Sequence, residues 1–223
     1  MKSSLVLLIP AYNAENSIKD VLTGCLHYVD PSRVVVVDDG SEDETAQVAT
    51  QRGVRVVRHD LNRGKGAALR TGFQIIRREH DCEVLVTLDA DHQHDPRDVS
   101  RFLSEYAATG ADIIVGRRNR WGTNMPLSRK CSNGVTSFLV SMRTGRAIPD
   151  SQCGYRLIRR EILEHVEIES NGFEAETEFL IKAAKKGYRI ASVPIRTVYG
   201  KEASHMTRWT TTKRFVQTLL RDY

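Results

Sequence analysis

A chain of 223 residues, 40% of them hydrophobic and 27% charged, has the length of one domain with at most a small appendage and enough apolar material for a packed core. No run approaches the roughly 18 apolar residues of a membrane span, so work at a membrane would be done from its surface or through a partner. The net charge of +5 suits an anionic partner, whether a nucleotide, a phospholipid surface or nucleic acid, and does not choose among them.

Residues 5–9 predict a first strand; five apolar residues before Pro10 are too few for the roughly 7–15 of a secretory h-region. A helix over 15–28 follows. Residues 34–37 predict a second strand, ending in Asp38-Asp39-Gly40-Ser41, and a helix over 43–52. A third strand over 54–57 leads through Asn62-Arg63-Gly64-Lys65-Gly66 into a helix over 66–79. A fourth, over 84–88, ends in Asp89-Ala90-Asp91. The next helix, over 97–108, has a marked start, with Asp95 to cap, Pro96 at the first helical position and Asp98 behind it, and Gly110 as its stop. A fifth strand over 113–115 runs into Gly116-Arg117-Arg118. Beyond it the alternation fades into helices near 128–143 and 175–187, a strand over 190–193 and a last helix over 208–221. The first five strands are short and nearly unbroken apolar runs, as strands buried on both faces should be. Strand–helix alternation of this kind predicts an α/β fold, a doubly wound, mostly parallel sheet with helices on both faces, and ligands bound beyond the carboxyl ends of its strands.

The strand ends therefore carry the chemistry. Asp89 and Asp91, one residue apart after a buried strand, can converge on one hard cation, Mg²⁺ or Mn²⁺, with Gln93 adding a neutral oxygen. An acidic turn that only caps itself would look the same. His92 and His94 flank the pair and suit a solvated or structural role better than ligation. Asp38 and Asp39 can accept from a nucleobase or a ribose, or else Ser41 and Asp43 make the segment a capped turn. Gly64-Lys65-Gly66 before a helix start favours phosphate. It is neither a dinucleotide fingerprint, since Leu69 stands where the third glycine belongs, nor a Walker loop, since Gly66 follows Lys65. Arg117, Arg118 and Arg120, with Arg129, Lys130, Arg156, Arg159 and Arg160, form either a solvated face or a phosphate-binding cluster. Glu174, Glu176 and Glu178 crowd a helix start, where the helix dipole favours acids. Cys25, Cys82, Cys131 and Cys153 make no C-x-x-C pair, which leaves out the common zinc and redox motifs and fits reduced thiols in a cytoplasmic setting.

Taken in order, Ile9-Pro10-Ala11-Tyr12-Asn13, Val37-Asp38-Asp39-Gly40-Ser41, Asn62-Arg63-Gly64-Lys65-Gly66 and Leu88-Asp89-Ala90-Asp91 resemble the motifs of the family 2 glycosyltransferases, whose fold is the Rossmann-like GT-A fold. His92-Gln93-His94-Asp95-Pro96, Gly116-Arg117-Arg118, the segment from Asp150 to Arg156, Gly172-Phe173-Glu174-Ala175-Glu176-Thr177-Glu178, Val193-Pro194-Ile195 and Ser204-His205-Met206 resemble the dolichol-phosphate mannose synthase-like and polyprenyl-phosphate glycosyltransferase-like group within it. The resemblance covers about residues 4–208 and implies a catalytic domain over 1–207, with 208–223 as an amphipathic helix on a membrane surface or on the protein's own core. It implies an inverting transfer of a hexose from a GDP- or UDP-linked donor, GDP-mannose or UDP-glucose in type, to a polyprenyl phosphate. Pro10, Tyr12, Glu15, Lys65 and Ala90 would then line the nucleotide sugar, and Asp38 with Asp39 would hold the base. Asp89 would face the ribose or sugar-diphosphate side, Asp91 with Gln93 and Asp89 would hold the metal, Glu178 would lie near the transferred sugar, and Arg117 with Arg129 would meet the acceptor phosphate. Expected partners are the donor, the lipid phosphate and a membrane surface or membrane protein on the cytoplasmic face, with no nucleic acid. The rival readings are a glycosyltransferase acting on a sugar hydroxyl, a catalytically silent nucleotide-sugar binder and a nicotinamide-dependent oxidoreductase.

Overall fold

The computed structural model describes residues 4–119, 127–196 and 208–223. Among them a single sheet runs β3 (Arg55–Arg58), β2 (Val34–Asp38), β1 (Leu5–Ala11), β4 (Val84–Thr87), β6 (Arg156–Arg159), β5 (Ile113–Arg118) and β7 (Ile190–Ile195), in that order. All pairs are parallel except those of β6, which runs antiparallel between β4 and β5. β1, β2 and β4 are buried at every residue, which is why they read as unbroken apolar runs. β3 is different: it is an edge strand, with Arg55 and Arg58 exposed, so only one of its sides is paired.

Among the described residues seven α-helices flank the sheet: α1 (Glu15–Cys25), α2 (Thr45–Thr50), α3 (Lys65–Glu79), α4 (Val99–Thr109), α5 (Leu127–Thr144), α6 (Ala175–Lys185) and α7 (Arg208–Leu220). α3 lies on β1 and β2 so closely that a Cβ on Gly72 would strike the side chain of Leu8. α3 meets α6, and α5, α6 and α7 pack on one another, while α1 pairs with α2. The start of α4 holds as read: Asp95 accepts from the Arg97 N–H at 2.9 Å over a 3-10 turn Pro96–Asp98, and Gly110 closes the helix at φ 57°.

Two expectations need correction. The segment containing Arg156 and Arg159 is strand β6 rather than a solvated basic face, and the Arg156 side chain is buried. The amphipathic stripe of α7 is divided: Phe215 and Thr218 are buried with Leu219 packed on the core, while Val216 and Leu220 face outward.

Candidate active site

The carboxyl ends of β1, β2 and β4 bring the first, second and fourth motifs together. The loops after β1 and β2 are laced to each other. Asn13 N–H donates to Ser41 Oγ at 2.9 Å, Ala14 N–H to Thr45 Oγ1 at 2.7 Å, and Glu15 N–H to Asp43 Oδ2 at 3.1 Å. In return Glu44 N–H donates to Glu15 Oε2 at 3.1 Å, which makes Glu15 a clamp between the loops. Pro10 is buried in β1, and Tyr12 is half-buried at the loop mouth.

Asp38 and Asp39 are both enclosed. Asp38 accepts from the N–H and hydroxyl of Ser41 and pairs with Arg58 at 3.2 Å. Asp39 takes His59 Nδ1 at 2.6 Å, the Arg63 N–H at 3.1 Å and the Gly64 N–H at 2.7 Å. These carboxylates shape the loops that end β2 and open α3. Direct contact with a base would require exchanging bonds they already make.

Asp89 and Asp91 are half-buried, with Ala90 buried between them. Lys65, the first residue of α3, reaches across to Asp89 Oδ1 at 2.6 Å and to Glu176 Oε1 at 2.9 Å. Burial opposes the charge on Lys65, but the two carboxylates outweigh it and hold the ammonium above its usual pKa. Burial likewise opposes the charge on Asp89, and Lys65 more than offsets it, holding Asp89 below the usual carboxylate range. Gly154 closes this cluster from the β6 side. A Cβ there would lie 2.8 Å from both Asp89 oxygens and from Glu176 Oε1, so only glycine allows the approach.

His94 is the floor of the loop. Asp89 N–H donates to its Nδ1 at 3.2 Å, which requires an unprotonated Nδ1 and puts the proton on Nε2, 3.9 Å from Cys153 Sγ. Burial pushes the imidazole down to about 4, with Asp89 opposing, so it is neutral. The 3.8 Å approach of Nδ1 to Asp89 Oδ2 is then no ion pair. His94 is structural, packed on Tyr155 with ring centroids 5.1 Å apart.

Asp91 Oδ1 accepts the Gln93 N–H at 3.0 Å, and His92 takes a left-handed φ of 61° to make that turn. No three acidic, histidine or cysteine side chains among the described residues form a metal cage. Asp89 shares its charge with Lys65. The donors fit Mg²⁺ or Mn²⁺ carried by Asp91, with Asp89 and Gln93 close by, in the mode in which one or two carboxylates and the phosphates of a substrate share the ion.

The basic and acidic clusters divide. Arg118 is engaged by Asp150 through two bonds of 2.8 Å and lends its field to Asp89. Arg117, next along β5 and on its other face, is exposed, and its side chain makes no hydrogen bond or ion pair with any described residue. Its guanidinium is open to an anion. Arg129 belongs to α5, and its side chain lies outside the described residues. Arg156, buried, donates to the carbonyls of Cys153, Glu176 and Ser151 at 2.8–2.9 Å and so pins the Gly154 loop to α6.

Glu178 does not lie in this site. Its carboxylate is fully enclosed, accepting the Glu169 and Ser170 N–H groups at 2.9 and 2.8 Å and pairing with Lys182 at 2.6 Å. Glu176 stands in the site instead. The sequence held a signal for this: Lys182 is four residues after Glu178 and neutralises it along the helix, while Leu180 holds that place for Glu176.

Against burial, the Lys182 and Ser170 bonds hold the Glu178 pKa below its usual value. Its stabilisation is therefore full at neutral pH and is lost as pH falls through that lowered value, below about 4.3. Glu178→Gln should cost about 1–3 kcal/mol at pH 7 and flatten the acid limb of a thermal-melt series. Transfer should stay near the wild-type rate below the melting temperature. A large loss of kcat in a folded variant would return Glu178 to the chemistry.

Comparison with known proteins agrees with this frame. The family model described as glycosyl transferase family 2 matches residues 6–167. The chain belongs to that family. It is an α/β glycosyltransferase of the GT-A type. Among its relatives, a UDP-N-acetylglucosamine–dolichyl-phosphate N-acetylglucosaminyltransferase of Methanococcus voltae is 30% identical over 217 residues, 87% of this chain and 86% of that one. A polyprenol monophosphomannose synthase of Mycolicibacterium smegmatis is 32% identical over 208 residues, 85% of this chain and 76% of that one. Among solved structures, glucosyl-3-phosphoglycerate synthase from Mycobacterium tuberculosis, in complex with Mn²⁺, uridine diphosphate and glucosyl-3-phosphoglycerate, superposes with a TM-score of 0.77 at 20% identity, over 97% of this chain and 78% of that one. At that identity the likeness is one of fold.

Proposed function

We propose that this glycosyltransferase moves a hexose from a GDP- or UDP-linked donor to the phosphate of a polyprenyl or dolichyl lipid, with inversion at the anomeric carbon. The observation that carries the acceptor is the state of the carboxylates. A hydroxyl acceptor needs a general base to take its proton. Asp89 and Glu176 are both tied to Lys65, Glu178 is enclosed, and His94 has its Nδ1 filled by a backbone N–H. A lipid phosphate is already anionic and needs a cation to place it, which the exposed Arg117 offers; Arg129, whose side chain lies outside the described residues, is the second candidate. The relatives named above, two transferases onto lipid phosphates, support the same acceptor.

In this reading a phosphate oxygen of the acceptor attacks the anomeric carbon as the bond from that carbon to the donor diphosphate breaks. The nucleoside diphosphate leaves with the electron pair, and no proton moves. Asp91, with Asp89 and Gln93, would hold Mg²⁺ or Mn²⁺, which when bound would supply charge neutralisation for the leaving diphosphate. Pro10, Tyr12 and the loops shaped by Glu15, Asp38 and Asp39 wall the nucleoside. Lys65 fixes the direction in which Asp89 and Glu176 present their oxygens. The enzyme works from the cytoplasmic face, meeting its acceptor at the bilayer.

The test is a transfer assay with labelled GDP-mannose, UDP-glucose or UDP-N-acetylglucosamine, Mn²⁺ and a short-chain polyprenyl phosphate. Label extractable into organic solvent is expected with one of these donors and should vanish with excess chelator. Label appearing only on sugar hydroxyls would replace the lipid acceptor with a glycan.

A further inference from the structure

Helix α5 is buried on one face and apolar on the opposite, exposed one. Its inner face, with Asn133, Ser137 and Val140, is buried against the protein. Its outer face carries Val135, Phe138 and Met142, which are 58%, 63% and 67% exposed. Spacings of three and four put these three on one stripe, roughly opposite the buried one. A helix at a protein surface ordinarily turns a polar face outward, and among the described residues this stripe is left uncovered.

α7 lies alongside, its backbone carbonyl at Leu219 accepting from Arg143 Nε of α5 at 3.4 Å. Its outward residues Val216 and Leu220 are 44% and 76% exposed. Arg221 and Tyr223, just past α7, engage Glu169 and Lys182 on the α6 side. Five of the large exposed apolar side chains thus sit on two adjoining helices.

The same two helices hold Arg129, Lys130, Arg143, Arg208, Lys213 and Arg214, and no acidic residue. An apolar stripe on helices whose sequences hold six basic residues and no acidic one complements an anionic lipid headgroup layer more closely than the mixed-charge surface of a second copy. The inner face of α5 is also one step from the site. Ser151 N–H donates to Ser137 Oγ at 3.1 Å, and three residues on Gly154 abuts Asp89. A bilayer seated on the outer face of α5 would lie about one helix diameter, roughly 10 Å, from the site wall.

We infer that the outer face of α5, with Val216 and Leu220 of α7, is the surface by which this enzyme seats on an anionic membrane. The inference rests on the lipid-phosphate acceptor for its purpose and on the exposed stripe for its place. The fitting test is flotation of the full chain with phosphatidylcholine vesicles, with and without phosphatidylglycerol, at low and high salt. Removing 208–223 would be a poor probe, because Phe215 and Thr218 are buried and their loss would open the core. Phe138→Asp with Met142→Asp is the better variant, since both side chains are exposed and the melting temperature should hold.

Wild type should float with the anionic vesicles at low salt and be released by salt. The double variant should bind roughly tenfold or more weakly, yet transfer sugar to a water-soluble short-chain acceptor at the wild-type rate. Absence of wild-type flotation, equal flotation by the folded double variant, or self-association through this face in sedimentation would each overturn the inference. Flotation that behaves as expected while no lipid phosphate accepts sugar would overturn the proposed acceptor and leave the membrane seat standing.

Discussion

Lys65→Met should cost this protein both its stability and its activity. The substitution keeps the chain length of Lys65 and removes the cation between Asp89 and Glu176, whose carboxylates then face each other around Gly154. Breaking a buried ion pair by removing one partner costs about 3–5 kcal/mol. Side-chain exposures of 14% for Lys65 and 24% for Asp89 leave some solvent screening, so about 2–4 kcal/mol is expected. For a chain of this size that is a fall in melting temperature of roughly 5–15 °C. The pH dependence should also change sign. In the wild type the lowered pKa of Asp89 means stabilisation that is present at neutral pH and lost as pH falls through that value. In the variant the two carboxylates repel, at least one pKa rises above its unfolded value, and stability is gained on acidification to about pH 4–5. A melt series from pH 2 to 8 checks this. An unchanged melting temperature at pH 7 would show that Lys65 does not hold the cluster together.

Asp91→Asn should do the opposite, removing transfer by about a thousandfold or more while the fold is untouched. Metal-assisted charge neutralisation is worth several kcal/mol at a leaving group, and each 1.36 kcal/mol is tenfold in rate. Asp91 is half-buried, and an asparagine oxygen can still accept the Gln93 N–H, so the melting temperature should move by no more than about 1–2 °C. A Mn²⁺ titration of the rate at saturating donor should show the wild-type midpoint lost. Near-normal turnover by this variant would remove Asp91 from the metal site and leave Asp89 to be tested in its place. Lys65→Met and Asp91→Asn thus separate the group that organises the loop from the group that meets the substrate.

Much of the architecture was legible because burial on both faces leaves a strong mark. β1, β2, β4 and the first half of β5 are nearly unbroken apolar runs, and each leads into a motif at its carboxyl end. β6 was not legible. Its central position is sustained by two apolar residues, Leu157 and Ile158, and its flanking arginines read as surface charge. Arg156 is buried because three backbone carbonyls receive its guanidinium, a long-range arrangement that no local pattern announces. The D-x-D loop was legible in place but not in its company. The tie from Lys65 to Asp89 joins the start of α3 to the end of β4, and that to Glu176 adds α6. Three acids at one helix start could be ranked only by asking which already had a lysine four residues on. The α7 stripe was visible, yet its division between core and solvent depended on α5, whose own outer stripe shows only once its inner face is seen to be buried.

The central claim is that the acceptor atom is a phosphate oxygen which needs no base. The most direct measurement sets a short-chain polyprenyl phosphate beside the matching polyprenol, with the same donor and Mn²⁺. The two acceptors differ only in the phosphate. Sugar should pass to the phosphate, giving a product that mild acid cleaves at the anomeric bond, and the alcohol should remain unlabelled. Comparable transfer to the alcohol would mean that a general base operates in this site, and it would contradict the account.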